Sequence, residues 1–206
     1  MMPARTRLLA ILVAVVVGAG IGYAVTTLIG GPEAPATVRE GFSVGQASIG
    51  GPFRLIDQNG RERSDAEFRG RLMLVDFGYT HCPDVCPLGL ALMADALDRL
   101  GPRAEDVQPI FITVDPARDT PDVLKDYVGH FSERMIGLTG TPEQIAEAAR
   151  AYRVYYKVHG TPENDPDYPV DHSGFIYLMG RDGRFLTHFT HETPPDKVAE
   201  AIRRYL

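Results

Sequence analysis

The chain has 206 residues, 44% of them hydrophobic and 23% charged, a balance that excludes a disordered polypeptide and sets one globular domain with a real core as the expectation. Its formal net charge is −6 at pH 7. An acidic body argues against nucleic acid as a partner.

The N-terminal residues differ from the rest. Residues 1–7 are a short stretch carrying Arg5 and Arg7, and LLAILVAVVVGAGIGYAVTTLIGG then runs from Leu8 through Gly31 without a charge. About 20 apolar residues cross a bilayer, so 8–29 reads as a transmembrane anchor. A signal peptide is the alternative, with Gly22-Tyr23-Ala24 as a small-x-small cleavage site. The apolar run is longer than the roughly 7–15 residues of a signal core and continues past that site. Arg5 and Arg7 keep the short end in the cytoplasm. Everything after Ile29 is then sent to the outer face, which in a bacterium is the periplasmic side of the inner membrane. Residues 30–51, rich in Gly, Pro and small residues, read as a linker, leaving 52–206 as the folded domain.

In FRLIDQNGRER, Asn-Gly between two extended pieces predicts a hairpin, and LMLVDFGY (72–79) is a continuous apolar run of the kind found in a fully buried strand. A helix follows, with Leu90, Met93, Leu97 and Leu100 at helical spacing and Gly101-Pro102 as its stop. VQPIFITVD (107–115) predicts the next strand. Thr120-Pro121 and Thr141-Pro142 each open a helix, threonine as cap and proline at the first position. GFIYLMGRDGRFLTHF predicts a hairpin turning at Arg181 to Gly183, and the last helix places Val198, Ile202 and Tyr205 on one face. Strands and helices in this order predict an α/β domain, a central mixed sheet flanked by helices. A cysteine pair between the first long strand and its helix gives that order a thioredoxin-like character.

The two cysteines lie in THCPDVCP, Thr80 to Pro87. Pro87 suits the first position of a helix, which sets Cys86 at the cap and Cys82 in the loop before it. The helix dipole favours thiolate there, so both sulfurs are expected to be reactive or good metal donors. A structural disulfide this short would constrain little of the unfolded chain. Inert burial fits poorly with a polar loop bounded by prolines. A redox pair and a metal site remain, and the spacing, one residue wider than Cys-x-x-Cys, suits either.

A third ligand would select the metal reading. Of the six histidines, His81 is expected to face away from its neighbour Cys82, His130 to end a helix, His159 to start a loop, and His188 and His191 to lie at the surface. His172 sits in YPVDHSGFIYL, after a Gly/Pro/Asp-rich loop and before an apolar strand, where binding residues concentrate. Asp171 is a candidate to orient such a ligand or, equally, a turn residue. Asp115, Arg118 and Asp119 are expected to fix the loop beside the site or a partner face.

FGYTHCPDVCP (77–87), ITVDPARDTPDVLKDY (112–127) and VDHSGFIYL (170–178) together closely resemble the Sco/SenC family of membrane-anchored copper proteins. The resemblance covers most of the chain after about residue 45, and the N-terminal anchor agrees with it. It implies a thioredoxin-like domain that binds one copper ion, Cu(I) or Cu(II), through Cys82, Cys86 and His172. It also implies a metallochaperone role in assembling the dinuclear copper centre of cytochrome c oxidase. The partners implied are the oxidase's copper-centre subunit, with another copper chaperone or a thioredoxin-like reductant as further candidates. The alternative is a thiol-disulfide oxidoreductase using Cys82 and Cys86 on a partner's cysteines. A thioredoxin-fold peroxidase ranks third, since paired thiols with a histidine argue against it.

Overall fold

The computed structural model describes residues 49–83 and 85–206. The stretch 1–7, the anchor expected over 8–29 and nearly all of the linker expected over 30–51 lie outside the described residues. Among the described residues, no helix is long and apolar enough to cross a membrane.

The Asn-Gly signal forms its hairpin. Strand β1 (Arg54–Asp57) folds back antiparallel on β2 (Glu62–Ser64), Arg54 opposite Ser64. Gly60 turns the chain at φ +74°, a conformation that favours glycine. Asp57 Oδ1 closes the turn by accepting from the amides of Asn59 and Arg61. The apolar run becomes β3 (Leu72–Gly78), buried at every residue. It pairs in parallel with β4 (Val107–Thr113), which pairs in parallel with β5 (Ile136–Thr139). The short IGLT segment of β5 lacks the length and alternation that would mark it in the sequence.

Two further strands, β6 (Tyr156–Val158) and β7 (Val170–His172), pair with each other in a sheet of their own. The predicted C-terminal hairpin is β8 (Phe175–Met179) and β9 (Phe185–Thr190), with β8 antiparallel to β3. The seven-stranded mixed sheet therefore has the order β2-β1-β5-β4-β3-β8-β9.

Among the described residues four α-helices flank it: α1 (Val85–Leu100), α2 (Pro121–Gly129), α3 (Pro142–Ala151) and α4 (Pro195–Arg203). Thr120 and Thr141 cap α2 and α3, their side chains accepting from the amides of Val123 and Gln144, with proline following each. Three local expectations need correcting. Helix α1 already includes Val85, so Cys86 lies inside its first turn and Pro87 is not the first helical residue. Pro87 costs nothing there, because the first four amides of a helix have no intrahelical acceptor. Gly101-Pro102 does not simply stop α1 but leads into a 3-10 turn, Gly101–Asp106. Tyr205 lies beyond α4 and is exposed, leaving Val198 and Ile202 as that helix's buried face.

Alternation along β3 sends Met73, Val75 and Phe77 into one apolar layer and Leu72 and Leu74 into the other. Helix α3 covers the first with Ile145 and Ala148. Helices α1, α2 and α4 cover the second with Leu90, Met93, Leu124, Val128, Val198 and Ile202.

Topology then determines where the chemistry-bearing residues meet. Gly78 at the end of β3 is the register partner of Thr113 at the end of β4. The cysteine loop and VDPARDTP therefore leave the sheet side by side. Strand β8 runs opposite to β3, so its entry, with His172 and Ser173 just before it, begins at that same end. Binding sites in sheets with parallel strands gather outside those carboxyl ends.

Candidate metal centre

The loop after β3 is held before the cysteines begin. Asp119, fully buried after β4, accepts from the Thr80 amide at 3.0 Å and from the hydroxyls of Thr80 and Thr113, each at 2.6 Å. Burial nonetheless raises its carboxyl above the ordinary range. Cys82 closes the turn, its amide donating to the Tyr79 carbonyl at 3.2 Å.

Both thiols are buried, Cys82 8% exposed and Cys86 0%. The Cys86 Sγ stands 3.2 Å from His172 Nε2. The two sulfurs and a ring nitrogen of His172 all lie within 4.8 Å of one another. Gly78 makes the close approach possible. A Cβ at that position would come within 2.7 Å of the Cys86 sulfur and 2.9 Å of the Phe111 ring.

The histidine is oriented from two sides. Its Nδ1 faces the Ser173 carbonyl at 3.1 Å, and a proton held there leaves the Nε2 lone pair toward the sulfurs. The buried Tyr79 ring meets the imidazole edge to face, centroids 5.9 Å apart. Burial favours the neutral ring, but hydrogen bonding to Cys82 and Ser173 outweighs it and holds His172 above the ordinary histidine value. Cys86 departs from the expectation of a dipole-lowered thiol. Its hydrogen bond with Cys82 and its burial push the thiol well above the ordinary range. With the sulfur fully enclosed, burial and the Cys82 hydrogen bond outweigh the helix dipole.

Asp171 is not the residue that orients His172. Its carboxylate is largely exposed and pairs with His159 Nε2 at 2.7 Å. The alternation of β7 explains this, since neighbours on a strand face opposite ways. His81 does turn away from the sulfurs, its Nδ1 3.1 Å from the Thr80 hydroxyl. His130 caps α2 and bonds the Asp126 carbonyl, and His188 is exposed between Phe175 and Phe185. His191 is a correction. Its side chain is 6% exposed and its Nε2 lies 3.1 Å from Oδ1 of the fully buried Asp76 on β3.

Asp115 and Arg118 form the ion pair of the neighbouring loop, and Tyr168 joins them by donating to Asp115 Oδ1 at 2.6 Å. The sequence pattern does not single out Tyr79, Ser173, Tyr168 or Asp76. Two signals for them exist: an ionisable residue inside the apolar run of β3, and one aromatic side chain, Tyr168, in the polar stretch that precedes His172.

A family model described as SCO1/SenC matches residues 42–206. This chain belongs to the SCO1/SenC family. Protein SenC of Rhodobacter capsulatus is 44% identical over 98% of this chain and 90% of its own length. The solved structure of Bradyrhizobium japonicum ScoI with copper bound superposes at a TM-score of 0.71, with 46% identity, covering 77% of this chain and all (100%) of that one. A structure of BsSco, described as a member of the Sco family of cytochrome c oxidase assembly proteins and as containing a disulfide switch, superposes at 0.61. It is 29% identical and covers 77% of this SCO1/SenC chain and 93% of its own. The mixed sheet flanked by helices is thus the fold of solved Sco proteins.

Proposed function

We propose that this chain is a copper-binding metallochaperone for cytochrome c oxidase, holding one copper ion through Cys82, Cys86 and His172 for delivery to the subunit that houses the dinuclear copper centre. The observation that carries the reading is the convergence of two sulfurs and one imidazole nitrogen within 4.8 Å. That donor set fits copper. Soft thiolates with one imidazole suit Cu(I) and tolerate Cu(II), whereas an oxygen-rich set would suit magnesium or calcium. Zinc also takes two sulfurs and a nitrogen, so family membership decides between them. The chain's own contribution is enclosure and aim: both thiols are buried, and Ser173 and Tyr79 hold the ring with Nε2 toward Cys86. The metal is cargo, and the residues that hold it lie where an acceptor protein can reach the end of the sheet.

Residues 8–29 are proposed to anchor the chain in the inner membrane as a single pass, with 1–7 in the cytoplasm and the domain on the outer face. The proposed partners, the oxidase's copper-centre subunit and a chaperone or thioredoxin-like reductant that would load or reset the site, would then meet the domain on that face.

The test is titration of the reduced full-length chain with Cu(I) against a competing chelator. One equivalent is expected to bind, and His172→Ala is expected to weaken binding while either Cys→Ser variant abolishes it. A wild-type chain that takes up no Cu(I) overturns the reading.

A second reading rests on the two neighbouring, mutually hydrogen-bonded thiols. As a thiol-disulfide oxidoreductase, Cys82 thiolate would attack a partner's disulfide and release one partner thiol. Cys86 would then resolve the mixed disulfide, giving the partner's dithiol and a Cys82–Cys86 disulfide, to be reset by an external dithiol. A His172→Ala chain that still supports oxidase assembly, beside an inactive Cys82→Ser, would favour this reading.

A further inference from the structure

Strand β7 carries His172, yet it hydrogen-bonds β6 rather than the main sheet that carries the cysteine loop. After His172 the chain enters β8 and is tied to β3. Before it, residues 159–169 are mostly exposed, and their turns are internal, Asn164 and Asp165 donating to Thr161 and Tyr168 to Asp165. Tyr168 is the exception, only 1% exposed.

What holds Tyr168 is Arg118. The guanidinium lies 3.5 Å from the Tyr168 ring centroid, its Nε donates to Asp115 Oδ2 at 2.5 Å, and its Nη1 donates to the Pro166 carbonyl at 2.9 Å. Tyr168 itself donates to the other oxygen of Asp115 at 2.6 Å. The same guanidinium is 5.7 Å from the Tyr79 ring, which in turn meets His172 edge to face and hydrogen-bonds the backbone of Val170 on β7. The Arg118 side chain is 6% exposed. A planar, delocalised cation with fixed donors can stack on an aromatic ring and bond a carboxylate and a carbonyl at once, which lysine's compact ammonium cannot.

We infer that Arg118 is a positioning residue for His172: with Asp115, Tyr168 and Tyr79 it clamps the incoming side of β7 against the exit of β3, and so sets the imidazole over the Cys86 sulfur. The cluster spans three separate segments, the cysteine loop, the loop after β4 and the loop before β7. Tyr79 also hydrogen-bonds Cys86 through its backbone, while the Arg118 guanidinium meets the Tyr79 ring and the chain that enters β7. The effect of Arg118 on metal binding therefore passes through His172. The inference rests on the copper reading proposed above.

The test is a double-mutant cycle on the reduced full-length chain, read by Cu(I) affinity against a competing chelator and by the Cu(II)–thiolate absorption spectrum. Arg118→Met is expected to weaken Cu(I) binding by about tenfold or more, the scale on which outer residues support metal ligands. Its Cu(II) spectrum should move toward that of His172→Ala. In the His172→Ala background the same substitution should change affinity by less than about twofold, since two changes acting through one ligand are not additive. Tyr168→Leu removes the stacking platform and carries the same expectation should Arg118→Met fail to fold. An equal loss in both backgrounds, or an unchanged affinity and spectrum, overturns the clamp. Absence of Cu(I) binding by the wild-type chain overturns the copper reading instead, so the two failures are distinct.

Discussion

The Nε2 of His172 stands 3.2 Å from the Sγ of Cys86, across 86 positions of sequence. That contact encloses one sulfur more deeply than the other. Cys86 is 0% exposed and its thiol is pushed up by the Cys82 hydrogen bond and by burial, whereas Cys82 is 8% exposed and sits in the loop. Alkylation requires thiolate and access, so Cys82 should be modified first. Timed labelling of the reduced chain with iodoacetamide, read by peptide mass spectrometry, should show Cys82 leading at neutral pH. Labelling of Cys86 should climb about tenfold per pH unit through the alkaline range without a plateau below the ordinary thiol pKa. Equal labelling rates at pH 7 would contradict this asymmetry, and bound Cu(I) should protect both.

Gly78 is a test of packing at the same sulfur. A methyl group there would meet Cys86 Sγ at 2.7 Å and Phe111 at 2.9 Å, in a strand buried on both faces. Overpacking of this kind costs about 1–3 kcal/mol. Gly78→Ala should lower Tm and, because the displaced atom is a proposed ligand, also weaken Cu(I) binding. Gly60→Ala, at an exposed turn with no atom within 4 Å of a new Cβ, should lower Tm through its φ of +74° and leave Cu(I) affinity unchanged.

The contrast between these glycines bears on what a sequence makes visible. Local rules act between near neighbours, so the Asn59-Gly60 turn, the Thr120 and Thr141 caps, the buried strand β3 and the THCPDVCP loop were all legible. Pairings between distant segments were not. Whether a histidine faces solvent or a partner depends on strand register: His191 meets Asp76 over 115 positions and His172 meets Cys86 over 86. Family resemblance, rather than spacing, separated His172 from the other histidines. Asp171 shows the opposite error. Adjacency suggested contact with His172, but strand alternation turns its carboxylate to His159.

Asp119 gives the loop its shape before Cys82, and its loss should be felt as both stability and geometry. Its carboxylate accepts three hydrogen bonds, two from Thr80 and one from Thr113, in a fully buried setting. Hydrogen bonds to charged groups are worth about 1.5–3 kcal/mol each, although the burial of the carboxylate offsets part of that. Asp119→Ala is therefore expected to destabilise the domain by roughly 3 kcal/mol, with the Thr80 amide left unsatisfied. Urea unfolding measures this. Asp119→Asn, which keeps the shape but turns one acceptor into a donor, should fall between wild type and alanine.

Asp76 supplies the pH test. It is fully buried on β3, one oxygen facing His191 and the other, Oδ2, without a hydrogen-bond partner among the described residues. Burial raises its carboxyl above the ordinary value of 3.8, against the opposing pull of His191 and His172. The folded state then keeps a proton that the unfolded chain gives up. The contribution of Asp76 to stability is present in full below the unfolded value and is lost as pH rises through the folded one. Asp76→Asn cannot ionise and retains an acceptor for His191. The variant and wild type should have similar Tm near pH 4, and the variant should pull ahead as pH rises toward 7. A tenfold difference in proton affinity is worth about 1.4 kcal/mol, which corresponds to about 3–6 °C in a domain of this size. A Tm difference that stays constant with pH would show that Asp76 ionises equally readily in the folded and unfolded chain.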